Sequence, residues 1–188
     1  MKRSTFCRSS IVAFLAGLIP AKFVLANYQR LKKGFKVSKG ADRFDVPITL
    51  MEGDTFFTKI ATADTDGELF AFESTRVVNG GPPLHYHYTQ DEWFYILEGN
   101  FTFKIGDQLF EATAGDSLFG PRMVPHAFTK TNAGIARMLI MYQPAGKMEL
   151  HFKGVSEGLY KNMTEQEKQA IRQQHGFEVV GPALGHQK

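Results

Sequence analysis

The sequence predicts an all-β protein of the sandwich or barrel kind. Two observations carry that expectation. From Arg43 onward, short apolar stretches recur at regular spacing between turn signals, a pattern of successive antiparallel strands rather than alternating βα units. The 17 Phe and the many Thr and Val suit a pleated, half-buried surface, and apolar residues at 43% are enough to fill a core.

In chain order, residues 48–50 and 55–60 read as strands, and Asp66-Gly67 as a hairpin turn between 59–63 and 68–75. Residues 93–97 and 101–105 flank the turn Glu98-Gly99-Asn100. Gly106-Asp107 leads into 108–112, Ala114-Gly115-Asp116 into 117–119, and 127–130 and 137–142 complete the series. Thr164-Glu165-Gln166-Glu167 is a capping box, since Thr164 and Glu167 can each satisfy an orphan amide. The short helix it starts is expected to stop near His175 with Gly176 behind it, before a last strand over 177–180.

The formal charge of +3 depends on its location. Lys2, Arg3, Arg8 and Lys22 lie in the first 26 residues, which hold no acid, and the remainder carries 18 basic against 19 acidic side chains. A nucleic-acid partner is therefore not expected, because it would require a basic stripe on the folded part. Met1 to Ser10 is basic, Ile11 to Ile19 is an unbroken run of apolar or small residues, and Val24-Leu25-Ala26 offers a small-residue cleavage signal. Residues 1–26 thus read as a signal peptide of an exported, periplasmic or secreted protein, and Arg3-Ser4-Thr5-Phe6-Cys7-Arg8 is similar to a twin-arginine leader with Ser4 in place of the second arginine. The apolar run falls short of the roughly 20 residues of a membrane span, so no stable span is expected after processing. The single cysteine, Cys7, lies in the same leader, which excludes disulfides and thiol catalysis from the processed chain. Residues 27–41 read as a tether, 42–152 as the barrel, and 153–188 as a C-terminal extension with one helix.

The chemistry concentrates in four residues. His85 and His87 sit at i and i+2, so in a strand both imidazoles project from one face. Gly80-Gly81-Pro82-Pro83 brings the chain to them. Glu92 heads an inward row with Phe94 and Ile96, where a carboxylate is costly unless it is paired or metal-bound. Asp91 is the rival ligand, but it falls in the preceding loop. His126, after Pro121-Arg122-Met123-Val124-Pro125, joins the others only if the strands close into a barrel.

These residues resemble the cupin superfamily. Its first motif matches Gly80 or Gly81, His85, His87, Glu92 and Gly99, and its second matches Gly115, Pro121 and His126. Met123 stands where the second motif usually has glycine, a position whose left-handed conformation disfavours methionine, and Lys130 stands where it often has asparagine. The resemblance implies a double-stranded β-helix, or jelly-roll, barrel. It also implies one divalent transition metal on His85, His87, Glu92 and His126. Three imidazoles and a carboxylate suit Fe, Mn, Ni, Cu or Zn better than calcium or magnesium. A homodimer is the family's further implication.

Phe72, Phe94, Phe103, Met138 and Tyr142 are candidates for a substrate pocket, and Phe70, Phe101 and Ile140 for other inner walls. Arg76 and Arg122 are candidates to orient an acidic group. His151, His175 and His186 have no matching partners and read as surface residues. Asn100-Phe101-Thr102 and Asn162-Met163-Thr164 have the form of glycosylation acceptors. The run from Asp66 to Pro144 is most similar to quercetin-dioxygenase-like single-barrel cupins. That likeness implies a metal-dependent dioxygenase for a small aromatic or enol-containing compound, with Glu92 as its base. The alternatives are a redox-neutral metalloenzyme (an isomerase, epimerase or lyase) and a non-catalytic module that binds a small ligand or metal.

Overall fold

A computed structural model describes residues 30–50 and 53–185. The expected leader, the first residues of the tether and His186 lie outside these residues. Eleven strands and two helices follow one another in the described chain. They are β1 (Ile48–Thr49), β2 (Thr55–Ile60), β3 (Phe70–Arg76), β4 (Pro83–His87), β5 (Asp91–Glu98), β6 (Phe101–Ile105) and β7 (Gln108–Ala112). Then come β8 (Ser117–Gly120), β9 (His126–Lys130), β10 (Ala136–Gln143), α1 (Met148–Ser156), α2 (Glu165–Gln174) and β11 (Phe177–Ala183). One sheet has the order β1-β2-β3-β10-β5-β8 and the other β11-β4-β9-β6-β7, and neighbours pair antiparallel. This is the expected jelly roll.

Strict period-two alternation sets which residues face inward. In β5, Glu92, Phe94 and Ile96 are buried while Trp93 and Tyr95 stack on each other outside, ring centroids 5.8 Å apart. In β10, Ala136, Met138, Ile140 and Tyr142 form the matching inward row, and register sets Tyr142 opposite Glu92 and Ile140 opposite Phe94. The space between the sheets is filled by aromatic rings in edge-to-face and tilted contact, among them Phe94–Phe103 at 5.0 Å and Phe103–Phe128 at 5.3 Å. Such pairs add to the area each ring buries.

The structure departs from expectation at three places. The strand expected to run to residue 63 ends at Ile60, and residues 62–65 wind into a short 3-10 helix closed by Asp66 at φ 57°. Side chains there compete with the ladder: Asp64 accepts the Ala61 amide at 2.9 Å, and Thr65 bonds the backbone of Leu69. Helix α1 was not anticipated, because Gly154 within it weakens its propensity. Its spacing of Met148, His151, Phe152 and Val155 nevertheless makes one inward stripe. The last strand runs on to Ala183, and Phe177 and Val179 pair with His87 and His85 of β4.

The capping box behaves as expected, with Glu167 accepting the Thr164 amide at 2.7 Å and Thr164 accepting that of Glu167 at 3.3 Å. Residues 30–47 lack regular structure but are tied to the barrel. Leu31 donates to the Asp64 carbonyl, and the buried Asp42 carboxylate accepts the amides of Phe44, Val46 and Thr58. No helix among the described residues is long and apolar enough to cross a membrane.

Phe103 is 1% exposed and ringed by aromatics away from the histidines. Phe103→Ala is expected to destabilise the fold by about 3–5 kcal/mol in urea unfolding while leaving metal content unchanged.

Candidate metal centre

The four candidate ligands converge from three strands of both sheets. Strand β4 delivers His85 and His87 on one face, β9 delivers His126 directly opposite His85, and β5 delivers Glu92. All four are buried, with His87 at 0% and Glu92 at 2% exposure, and their ligand atoms lie within 4.8 Å of one another. Two glycines make room. Gly120, paired with Glu92, faces the His126 ring, where a Cβ would stand 3.3 Å from Nδ1. Gly81 lets the approach to β4 press against β9, and a Cβ there would fall 1.7 Å from the Phe128 carbonyl oxygen.

Second contacts fix how His85, His126 and Glu92 point. His85 Nδ1 lies 2.8 Å from the Pro83 carbonyl oxygen and His126 Nδ1 lies 2.9 Å from that of Val124. A carbonyl oxygen only accepts, so in each ring Nδ1 carries a hydrogen and Nε2 is the nitrogen turned inward toward Glu92. Glu92 Oε2 sits 2.9 Å from His126 Nε2, 3.2 Å from His87 Nε2 and 3.8 Å from His85 Nε2. Its other oxygen accepts the Tyr142 hydroxyl at 2.7 Å. Three Nε2 atoms thus crowd one buried carboxylate oxygen, an arrangement met either by a proton shared with Glu92 or by a cation at its centre. A divalent transition ion fits this donor set, with Glu92 presenting one oxygen and Tyr142 holding the other.

The electrostatics agree. Burial would raise the Glu92 carboxyl, but hydrogen bonds from His126, His85 and His87 outweigh it and hold the group well below its ordinary value. Burial pushes His87 down to about 4, against the pull of Glu92. For His126 burial also acts downward, yet the hydrogen bond and charge of Glu92 win and raise it. Burial, then the Glu92 charge, raises Tyr142 well above its usual range, so it stays a neutral donor.

His85 and Glu92 open onto a cavity of about 340 Å³, within the size range of small-molecule sites. Of the expected pocket residues, Phe72 and Tyr142 line it, as does Ile140. Phe94, Phe103 and Met138 do not: their side chains are at most 1% exposed and fill the barrel interior, where the inward rows close on each other. Phe70 and Phe101 are likewise core. Arg76 does line the cavity, paired with Asp54 at 2.6 Å, whereas Arg122 binds Asp91 at the surface. Asp91 opens β5 rather than lying in the preceding loop, and alternation turns it away from Glu92 and out of the ligand cluster. His151 is not a surface residue, being 5% exposed and part of the cavity wall, and His175 is half-buried beside it. Much of the remaining wall lies beyond the motifs: Phe56, Phe128, Met148, Phe152, Tyr160 and Phe177. The α1 stripe was the available signal for part of it. Met123 adopts the left-handed conformation at φ 63° despite its side chain, and its amide binds the His87 carbonyl at 2.8 Å.

His87→Ala or His126→Ala is expected to lose most bound metal, read by mass spectrometry, while keeping a folded barrel by circular dichroism. Metal binding must displace a proton held between His126 and Glu92. His126 is raised in the folded protein, so its proton leaves above the unfolded value, whereas Glu92 is lowered and stays ionised. Zinc affinity is therefore expected to climb from pH 6 through the raised His126 value, by up to about tenfold per pH unit, in competition with a chelator.

Comparison with known proteins agrees with this architecture. The cupin domain family Cupin_2 matches residues 72–142. An uncharacterised protein of Methanocaldococcus jannaschii is 42% identical over 43 residues, 23% of this chain and 34% of its own length, so the chain matches about a third of that relative. The structure of KdgF from Halomonas sp. superposes with a TM-score of 0.51 at 15% identity, over 60% of this chain and 94% of that one. A predicted oxalate decarboxylase of Thermotoga maritima gives a TM-score of 0.51 at 17% identity, over 59% of this chain and 99% of that one. The family match spans the strands that carry all four candidate ligands, within a jelly-roll fold shared with these structures.

Proposed function

We propose that this exported cupin is a metal-dependent dioxygenase acting on a small aromatic or enol-containing compound. The observation that carries this reading is the ligand cluster at one wall of a cavity whose other walls are largely aromatic. His85, His87, Glu92 and His126 would hold iron, manganese, nickel or copper. Such an ion supplies electron exchange with dioxygen and polarises a ligated substrate oxygen. Phe56, Phe72 and Phe152 bind the flat body of the substrate and exclude water. Tyr142 holds one Glu92 oxygen and leaves Oε2 to face the histidines. The carboxyl is ionised across the neutral range, and Oε2, on leaving the metal, would take the proton of a substrate hydroxyl.

The Tyr142–Glu92 hydrogen bond also favours a second reading. A neutral donor and an ionised acceptor side by side are what a redox-neutral isomerase or lyase needs to move a proton.

Metal analysis of the chain from Asn27, purified without chelators or a histidine tag, is the first test, followed by oxygen uptake with aromatic diols and enols. About one redox-active ion per chain together with oxygen consumption supports the dioxygenase. Zinc alone, with turnover in the absence of oxygen, replaces it by the second reading. Glu92→Gln is expected to lower turnover at least about a hundredfold, the usual scale for a lost general base.

A further inference from the structure

Among the described residues, one histidine lines the cavity without belonging to the ligand cluster. Helix α1 carries His151 on the same stripe as Met148, Phe152 and Val155, and all four line the cavity. The imidazole packs edge-on against Phe177 at 4.8 Å, and the Phe177 ring lies 5.6 Å from that of His87 and 6.0 Å from that of His85. His151 thus sits one aromatic ring away from the ligands.

Its polar contacts are weak. Tyr160 Oη stands 3.5 Å from Nδ1 and 3.4 Å from Nε2. An oxygen equidistant from both nitrogens is aligned with the axis of neither, and both distances exceed a normal hydrogen bond. His175, 5.1 Å away, gives its own Nδ1 hydrogen to the Ile171 carbonyl. Burial, reinforced by His175 and Arg172, pushes His151 down to about 3, so the ring is neutral, with one donor and one acceptor. A buried polar ring without a well-formed partner is costly, and a ligand that completes its hydrogen bonding recovers that cost.

We infer that His151 is a second polar anchor of the cavity, accepting a hydrogen bond from a hydroxyl of the bound compound at a point separate from the four-ligand cluster. The inference rests on the reading of the cavity as a site for aromatic or enol compounds, and it narrows the class to those bearing a hydroxyl beyond the one directed at the metal. The α1 cap, outside the matched cupin domain, then carries substrate selectivity.

Fluorescence titration of the full chain with 2-naphthol and with 2-methoxynaphthalene tests this, since the two share a ring system and differ in the hydroxyl hydrogen. Wild type is expected to prefer 2-naphthol by about tenfold, the scale of one unsatisfied buried polar group. In His151→Phe the preference falls below about threefold, and in His151→Gln, which keeps an acceptor, it persists. It also persists after the metal is stripped by a chelator. Equal affinities in wild type, no binding of either compound, or an undiminished preference in His151→Phe would each overturn the inference. Histidine ring 15N spectra of the wild type give a readout that needs no variant: 2-naphthol is expected to shift the His151 nitrogens and the methyl ether to leave them in place. Unmoved nitrogens with bound 2-naphthol overturn the inference equally. Because the preference is read in metal-free protein, a chain that neither retains metal nor turns over would defeat the dioxygenase reading and leave the His151 result standing.

Discussion

Everything in this barrel is arranged around a charge deficit at Glu92. One carboxylate oxygen is buried among three imidazole nitrogens, and two of those rings have already spent their hydrogens on the carbonyls of Pro83 and Val124. Burying a carboxylate this way is unfavourable by itself. Without an ion, the site can balance the charge by retaining a proton, which is why His126 is raised while Glu92 is lowered. A divalent ion held by His85, His87, Glu92 and His126 would resolve the same conflict with stronger bonds.

That constraint accounts for otherwise disparate features of the fold. The close approach at Gly81 presses the entry to β4 against β9, and the bare Cα of Gly120 gives the His126 ring its place. The strain of Met123 at positive φ, of the order of 1–3 kcal/mol, is borne at the turn whose amide ties down the carbonyl of His87. Tyr142 reaches the outer Glu92 oxygen because β10 is in register with β5 at that pair. Precision at the ligands is thus obtained from adjacent strands and the turns that lead into β4 and β9.

The legible part of the sequence was the part governed by local rules. Period-two alternation placed Glu92, Phe94 and Ile96 inward, and the His-x-His spacing put both rings on one face. The Thr164 capping box marked its helix to the residue. The cavity wall was less legible, because inward-facing and cavity-facing are different properties. Phe94 and Phe103 point inward like Phe72, and only the closure of the barrel decides which end is filled. His151 read as a surface residue because nothing near it in sequence resembles a partner. Its neighbours Tyr160, His175 and Phe177 are brought to it by the packing of two helices and a strand.

Strand β11 also sets a timetable for the site. It borders β4, the strand that bears two of the four candidate ligands, and supplies Phe177 and Val179 to the cavity wall. A nascent chain grown to residue 176 already contains all four ligands, yet one edge of β4 is unpaired and the wall behind the histidines is missing. Domains consolidate as they emerge from the ribosome, N-terminal parts first, but here the enclosure of the centre awaits a segment that follows every ligand-bearing strand in the chain. An ion captured before that moment would sit in a half-built, wet vestibule from which it could exchange. Were a metal held there, the ion retained would be the one present when β11 zips onto β4, so the compartment in which that pairing forms would govern which metal the barrel keeps.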